Sequence, residues 1–518
     1  MNARRGALAL RPLSPEFSPY GWAPATAEIA RIAGIDPVEV LRFDGNVPAD
    51  PPASARPGTI AGVLAEVNTY PHGGYGPLVP AIARYAGVEP ENIVLGAGAD
   101  DLIFLSARCF AGPGDTVAVL DEPTYPMFRL GALLAGAEVG DADPVATFVC
   151  RPHNPSGALG DLPSIRPLIV DEAYFEYAGE SAVDLVDDGV VVIRTFSKAF
   201  GLAGARAGYA IADSETAAEL NARQLPAPIS TLSAALALAA LGSPPDVGWE
   251  IEERERMDER LRVLGLEPLP SRANFLFVPV GGADELGDRL LREGLAVRSF
   301  SDGIRISVRN REDDDVLLAA LARALDRPSP LEAPGGRRVR LVRATAETRL
   351  VVRLALDGAG RVRVATGAGI YDHFLEQLAF HGGLDLVVEG TGDLETGEHH
   401  TAEDAALAFG QALDRALGDR SGIARYGDAV VPMDDALARA SVDLGGRPWC
   451  ECELERAPEL AEHVFRSLSQ AARLGLHVEA TGRDEHHVAE AAFKAVGRAL
   501  RVAVRLEGEN IPSTKGLL

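Results

Sequence analysis

Cysteine is scarce, with four in 518 residues (Cys109, Cys150, Cys450, Cys452). So few, so scattered, cannot make a disulfide framework. Cys450 and Cys452 stand two apart in an extended-looking stretch and read as one side of a half-buried strand rather than a metal pair. Long apolar runs are missing too. Nothing approaches the roughly 18 apolar residues of a membrane span, and the opening MNARRGALAL has neither the apolar core nor the cleavage site of a secretion signal. The expectation is a cytoplasmic protein. Positive charge is in deficit: 50 Lys and Arg against 75 Asp and Glu leave −25. That argues against nucleic acid as a partner, because phosphate binding needs a basic face. Small molecules remain.

What is present divides in two. The chain is longer than one hydrophobic core usually supports. The sharpest composition break is DRPSPLEAPGGRR, Asp326 to Arg338, whose prolines and paired glycines interrupt helix and strand alike. The expectation is a first domain over 1–327, a linker over 328–338 and a second domain over 339–518. Before the break, short apolar runs (NIVLGAG, TVAVL, LIVDEAYF, VVVIRTFS) alternate with helical patterns. Such alternation predicts β-α units, an α/β class and a mostly parallel sheet. After Ser230, helices lead to ANFLFVPV, GLAVRSF and GIRISV, a smaller α+β lobe.

Beyond the break the histidines gather: eight of ten lie between His373 and His487. A repeat lies there as well. Asp372-His373-Phe374 through Gly392 aligns with Glu462-His463-Val464 through Gly482 at an offset of 90, and HHTAEDAALAF from His399 aligns with HHVAEAAFKAV from His486. Each copy reads helix, strand, loop, helix, so the second domain is a duplicated α+β unit.

In the first domain, a buried strand ends at Thr195-Phe-Ser197-Lys198, and a Gly-rich bend leads on to Arg206. A lysine held at a strand end can form a Schiff base, and the serine and arginine can hold a phosphate. Asp171 ends the apolar Leu-Ile-Val run, where a buried carboxylate needs a cationic partner. Asn154 sits beside a tight turn, and Gly96-Ala-Gly-Ala99-Asp100 follows a strand and opens a helix, presenting backbone N–H groups to phosphate. In this order the motifs resemble the fold-type I aminotransferases, specifically the histidinol-phosphate aminotransferase group, over nearly the whole domain. The resemblance implies pyridoxal 5'-phosphate bound at Lys198, with Asp171 on the ring nitrogen and Tyr125 stacked on the ring. Asn154 and Tyr174 would hold the phenolic oxygen. Ser197, Arg206 and the amides of Ala99 and Asp100 would hold the phosphate, with Tyr70 reaching in from a second subunit. Tyr20 and Arg298 match positions near the substrate phosphate, and Arg305 the arginine that binds the amino-acid carboxylate. The sequence departs at Arg309, where the family usually has glycine. Threonine-phosphate decarboxylases share most of these motifs and are the alternative for this domain.

In the second domain, His399 and Glu403, like His486 and Glu490, stand at i and i+4 on one helix face. His400 and His487 are turned by roughly 100° toward a different ion. With His373 and His463 this makes eight N and O ligands, enough for two sites, of a kind that suits manganese, iron or zinc. From about Arg340 onward the sequence closely resembles imidazoleglycerol-phosphate dehydratase, on Asp-His373-Phe-Leu, both His-His motifs, Val-Pro-Met-Asp434-Asp, Phe-Lys494-Ala and Ile-Pro-Ser513-Thr-Lys515-Gly. The resemblance implies two manganese ions at subunit contacts. Arg425, Arg447, Lys494, Ser513 and Lys515 would bind the substrate phosphate, Glu347 would be the acid/base and Gln377 a substrate contact. His477 reads as structural, and His381 is unassigned. The two resemblances imply consecutive steps of histidine biosynthesis on imidazole phosphates, with glutamate as amino donor. They also imply a homo-oligomer, of aminotransferase dimers or a large dehydratase-cored shell.

Overall fold

The computed structural model describes residues 13–52, 54–55, 57–65, 67–71, 75–331, 337–358, 360–458, 460–508 and 510–513. It forms two compact units, Met1–Ala33 with Leu41–Pro330 and Gly34–Val40 with Leu331–Leu518. The division thus falls inside the expected linker. Gly34–Val40, expected in the first domain, groups instead with the second unit.

The first unit is built on a seven-stranded sheet. Its strands are β1 (Ile93–Gly96), β2 (Thr116–Val119), β3 (Glu138–Val139), β4 (Ala146–Cys150), β5 (Leu168–Asp171), β6 (Val190–Thr195) and β7 (Gly208–Ile211). Their order is β1-β7-β6-β5-β4-β2-β3, with β7 alone antiparallel to its neighbours. The central strands are buried throughout and mostly apolar because both faces are covered. Ile169, Val191 and Ile193 enter one core, and Leu168, Val170, Val190 and Val192 enter the other. Helix α1 (Ala99–Phe110) follows β1, and its partner α2 (Met127–Ala135) follows β2. The lobe carries an antiparallel sheet of β8 (Phe275–Pro279), β9 (Arg298–Phe300) and β10 (Gly303–Ser307), ordered β9-β10-β8.

The second unit holds two four-stranded sheets. One comprises β11 (Arg338–Ala344), β12 (Arg349–Ala355), β13 (Val362–Ala365) and β14 (Asp385–Thr391). The other comprises β15 (Tyr426–Met433), β16 (Ala436–Asp443), β17 (Trp449–Leu454) and β18 (Gly475–Thr481). Both have the same order, hairpin, then last strand, then a parallel edge: β11-β12-β14-β13 and β15-β16-β18-β17. Helices α3 (Gly369–Gly382), α4 (His399–Leu417), α5 (Ala461–Ala472) and α6 (Glu485–Ala503) share one core with both sheets. The helices pack across the halves, α3 on α6 and α4 on α5. Two glycines permit this. A Cβ at Gly497 would collide with the Leu378 carbonyl, and one at Gly410 would come within 2.7 Å of the Ala471 methyl. Each stands eleven residues after the first histidine of its pair.

Candidate active sites

Parallel strands deliver their carboxyl ends to one edge of the sheet, where open α/β folds place ligands. β1 leads to Ala99 and Asp100, β2 to Tyr125, β4 to Asn154, β5 to Asp171 and Tyr174, and β6 to Ser197 and Lys198. With Tyr20, Arg206, Arg298 and Arg305 these line a cavity of about 430 Å³. Tyr70 is not among them; it lies 84% exposed elsewhere on the unit.

Lys198 Nζ donates to the Gly45 carbonyl at 3.1 Å. Burial, then the Arg305 guanidinium, pulls its pKa down to about 8. Burial pushes Asp171 up to about 7, opposed by the Ala173 N–H at 3.1 Å. A buried carboxylate in that position favours a cationic ligand. Tyr125 donates to one Asp100 oxygen at 2.6 Å, and Arg206 to the other at 3.1 Å. Gly98 has φ +86°, and a Cβ there would sit 2.8 Å from the Arg206 guanidinium. The helix N-terminus and the arginine thus leave a cradle of backbone amides.

On the opposite wall, Arg298 and Arg305 are register partners on β9 and β10. Two like charges side by side on a sheet call for an anion. Arg305 donates to Asn154 Oδ1 at 2.5 Å and to the Asp44 carbonyl at 2.8 Å. Among the described residues, its Nε and the Thr124 hydroxyl are buried with no hydrogen-bond partner. An amine, a carboxylate, an anion cradle and orphaned donors fit pyridoxal phosphate together with an anionic substrate. Sequence reasoning missed Asp44, Gly45 and Asn46, which line the same cavity. Their only signal was a polar turn, Asp-Gly-Asn-Val-Pro, whose partners lie over a hundred residues away.

In the second unit the crossed helices draw six of the eight expected ligands into two clusters, each mixing the halves. His373 on α3 meets His486 and Glu490 on α6, and His463 on α5 meets His399 and Glu403 on α4. In each cluster the donor atoms lie within 4.8 Å of one another. Glu490 Oε2 is 3.1 Å from His486 Nε2 and 3.8 Å from His373 Nε2. Glu403 Oε2 is 3.3 Å from His463 Nε2 and 3.8 Å from His399 Nε2. The buried His463 Nε2 makes no aligned hydrogen bond among the described residues, its approach to Glu403 notwithstanding. Two imidazoles and a carboxylate, with an orphaned nitrogen, fit a divalent transition metal.

His400 and His487 stand outside both clusters. His400 Nδ1 is held by Asp393 at 2.9 Å, and His487 Nδ1 by Asp435 at 2.7 Å. These carboxylates hold both imidazoles above their ordinary pKa, and His487 in turn keeps Asp435 far below its own. Neither carboxylate was singled out in the sequence. Glu347, exposed in the β11–β12 turn, is 3.6 Å from His400 Nδ1. Gln377 lies one turn beyond His373 on α3.

Among the described residues, the expected phosphate ligands do not converge within the chain. Arg425 binds Asp443 at 2.7 Å and the Pro512 carbonyl at 3.0 Å, beside Ser513. Arg447 is exposed. Lys494, toward the other end of β15, binds Glu490 at 2.7 Å and touches Met433. Lys515 lies outside the described residues. His477 is exposed within β18, where its register partners are Ser441 and Glu451. His381 joins no cluster among the described residues. Cys450 and Cys452 lie half-buried on β17. No helix among the described residues is long and apolar enough to cross a membrane.

Two family models match the chain. Residues 45–143 and 140–321 match the model for aminotransferase class I and II, and 366–500 that for imidazoleglycerol-phosphate dehydratase. The dehydratase of Methanococcoides burtonii is 48% identical over 190 residues, 35% of this chain and 100% of that protein. That of Frankia casuarinae is 51% identical over 193 residues, 35% of this chain and 99% of its own length. Among solved structures, histidinol-phosphate aminotransferase from Sinorhizobium meliloti, in complex with pyridoxal-5'-phosphate, is 26% identical with a TM-score of 0.53. It is matched over 60% of this chain and 98% of its own. The Clostridium acetobutylicum histidinol-phosphate aminotransferase shares the fold at 24% identity and a TM-score of 0.50, over 55% and 99% of the two chains.

Proposed function

The chain belongs to the class I and II aminotransferases over its first unit and to the imidazoleglycerol-phosphate dehydratases over its second, and from that premise we propose that it catalyses two consecutive steps of histidine biosynthesis. The second unit dehydrates imidazoleglycerol phosphate to imidazole-acetol phosphate. The first transfers an amino group from glutamate to that ketone, giving histidinol phosphate. One observation carries the reading: a desolvated lysine facing a buried aspartate and two clusters of two histidines and a glutamate lie on one chain, and the product of one chemistry is the substrate of the other. That adjacency favours histidinol phosphate over threonine phosphate as the first unit's ligand. Both steps act on small, water-soluble phosphates, in keeping with a cytoplasmic enzyme.

In the first unit, Asp171 would hold the ring nitrogen of pyridoxal phosphate, Tyr125 its face, and Asn154 and Tyr174 its phenolic oxygen. Ser197, Arg206 and the amides of Ala99 and Asp100 would hold its phosphate. When bound, the cofactor supplies an electron sink beside the reacting carbon. Lys198, held near neutrality by burial, takes the proton from that carbon and returns it. Arg305 fixes a carboxylate of glutamate, while Arg298 and Tyr20 receive the phosphate of the imidazole substrate. Tyr70 serves the cavity of a second copy, in keeping with its exposure.

In the second unit, His373, His486 and Glu490 would hold one manganese ion, and His399, Glu403 and His463 another. The ions supply Lewis acidity toward the substrate imidazole. Asp393 and Asp435 fix Nδ1 of His400 and His487, leaving each Nε2 as the ligating atom. Neither imidazole belongs to the two clusters of its own chain, which supports sites completed by a neighbouring copy. Arg425, Arg447, Lys494, Ser513 and Lys515 would bind the phosphate across the same contact. Glu347 moves protons, and Gln377 orients the substrate. Conversion of imidazoleglycerol phosphate to histidinol phosphate with glutamate, pyridoxal phosphate and manganese tests the whole reading. Accumulation of the ketone without histidinol phosphate would remove the first unit's part in it.

A further inference from the structure

Three consecutive residues missed in the sequence each hold a different group of the first unit's cavity. The Asp44 carbonyl accepts from Arg305 at 2.8 Å, the Gly45 carbonyl accepts from Lys198 at 3.1 Å, and the Asn46 side chain lies 3.0 Å from the Tyr174 hydroxyl. Asn46 is 1% exposed and has φ +51°, a conformation that asparagine tolerates. Its backbone N–H donates to the Ser307 hydroxyl at 2.8 Å, and its Oδ1 lies 2.9 Å from the same oxygen.

The amide can present either its NH₂ or its carbonyl to the phenol, and the two choices give Tyr174 opposite roles. Ser307 has one hydrogen for two acceptors, Asn46 Oδ1 and the Phe43 carbonyl at 2.7 Å. That carbonyl already accepts the Ser307 backbone N–H at 2.9 Å. With the hydroxyl hydrogen on Asn46 Oδ1, every group in the cluster keeps a partner and Nδ2 faces the phenol.

We infer that Asn46 is a positioning residue that donates to the Tyr174 oxygen and thereby aims the phenol's own hydrogen into the cavity, toward the cofactor oxygen. This rests on the aminotransferase reading of the unit. Tyr174 then arrives as a ready donor, fixed by a residue 128 positions earlier in the chain.

The test uses the full chain loaded with pyridoxal phosphate. Asn46→Gly removes the amide while tolerating positive φ. Its visible absorption should titrate with a midpoint about one pH unit higher than in the unaltered chain. Its kcat should fall about tenfold, the scale of a hydrogen bond to a charged group, with KM for histidinol phosphate changed less than about threefold. In a Tyr174→Phe background the same substitution should add nothing to either. An unchanged midpoint, or an equal loss of kcat without the phenol, overturns the inference. Should Asn46→Gly fail to fold, as judged by circular dichroism, Ser307→Ala frees the amide to turn and should move the midpoint in the same direction; no movement overturns the inference equally. An unaltered chain that neither binds pyridoxal phosphate nor transaminates would remove the aminotransferase reading itself. One that does both while Asn46→Gly matches it removes only the role of Asn46.

Discussion

At Lys198, burial and Arg305 make the ammonium form the costly one, so the folded value of about 8 lies below the ordinary 10.5. Capture of pyridoxal phosphate by the cofactor-free chain should therefore accelerate as pH rises through about 8 and then level off. Stopped-flow absorbance checks this, and a midpoint near 10 would show a solvated lysine. The sign for stability follows from the same shift. Between about 8 and 10.5 the unfolded chain binds a proton that the folded chain does not, so the lysine's destabilising effect fades as pH rises through that window. Lys198→Ala should cut transamination by at least about 10²–10⁴-fold, the range for a positioned proton-transfer group. Dehydration, assayed on the same sample, should not change. Arg309 is a clamp: it binds Asp313 at 3.0 Å and the Arg42 carbonyl at 3.0 Å, so it steadies the stretch leading to Asn46.

The helices of the second unit set its chemistry by crossing. Gly497→Ala would force α3 away from α6, at about 1–3 kcal/mol for overpacking. Thermal unfolding should register that loss, and metal content should fall with it. The crossing also fixes which ligands act together. His373→Ala and Glu490→Gln should cost less metal affinity combined than the sum of their separate effects, because they strip the same ion. His373→Ala with Glu403→Gln should be additive. Equal coupling in both pairs, by metal titration, would mean that the clusters are not separate. Much of this was legible beforehand. Strand ends carrying Asp171 and Lys198 show in the alternation of apolar runs, and the i, i+4 spacing pairs each histidine with its glutamate. The resemblance implies that histidines of both repeats contribute, but which of them share an ion was not legible, since spacing along one helix says nothing about which helix lies against it. Asp393 and Asp435 escaped for a related reason. They support equivalent histidines from inequivalent places, one in the loop before α4 and the other in the β15–β16 turn.

Over the whole molecule, each unit has its own core, so the two activities should fail separately. A chelator should stop dehydration while transamination between histidinol phosphate and 2-oxoglutarate continues, and hydroxylamine should do the reverse. Light scattering alongside both rates would reveal whether metal loss also dissolves an assembly. Loss of transamination at unchanged particle size would refute independent units. The second unit itself does not divide in this way. A fragment ending before β15 would own His373, His399 and Glu403, and its complement His463, His486 and Glu490, so neither would possess a complete cluster. Alone, each would also bare the helix faces that Gly410 and Gly497 bring together. Separately produced fragments should thus be inert and poorly soluble, yet regain metal and activity on mixing.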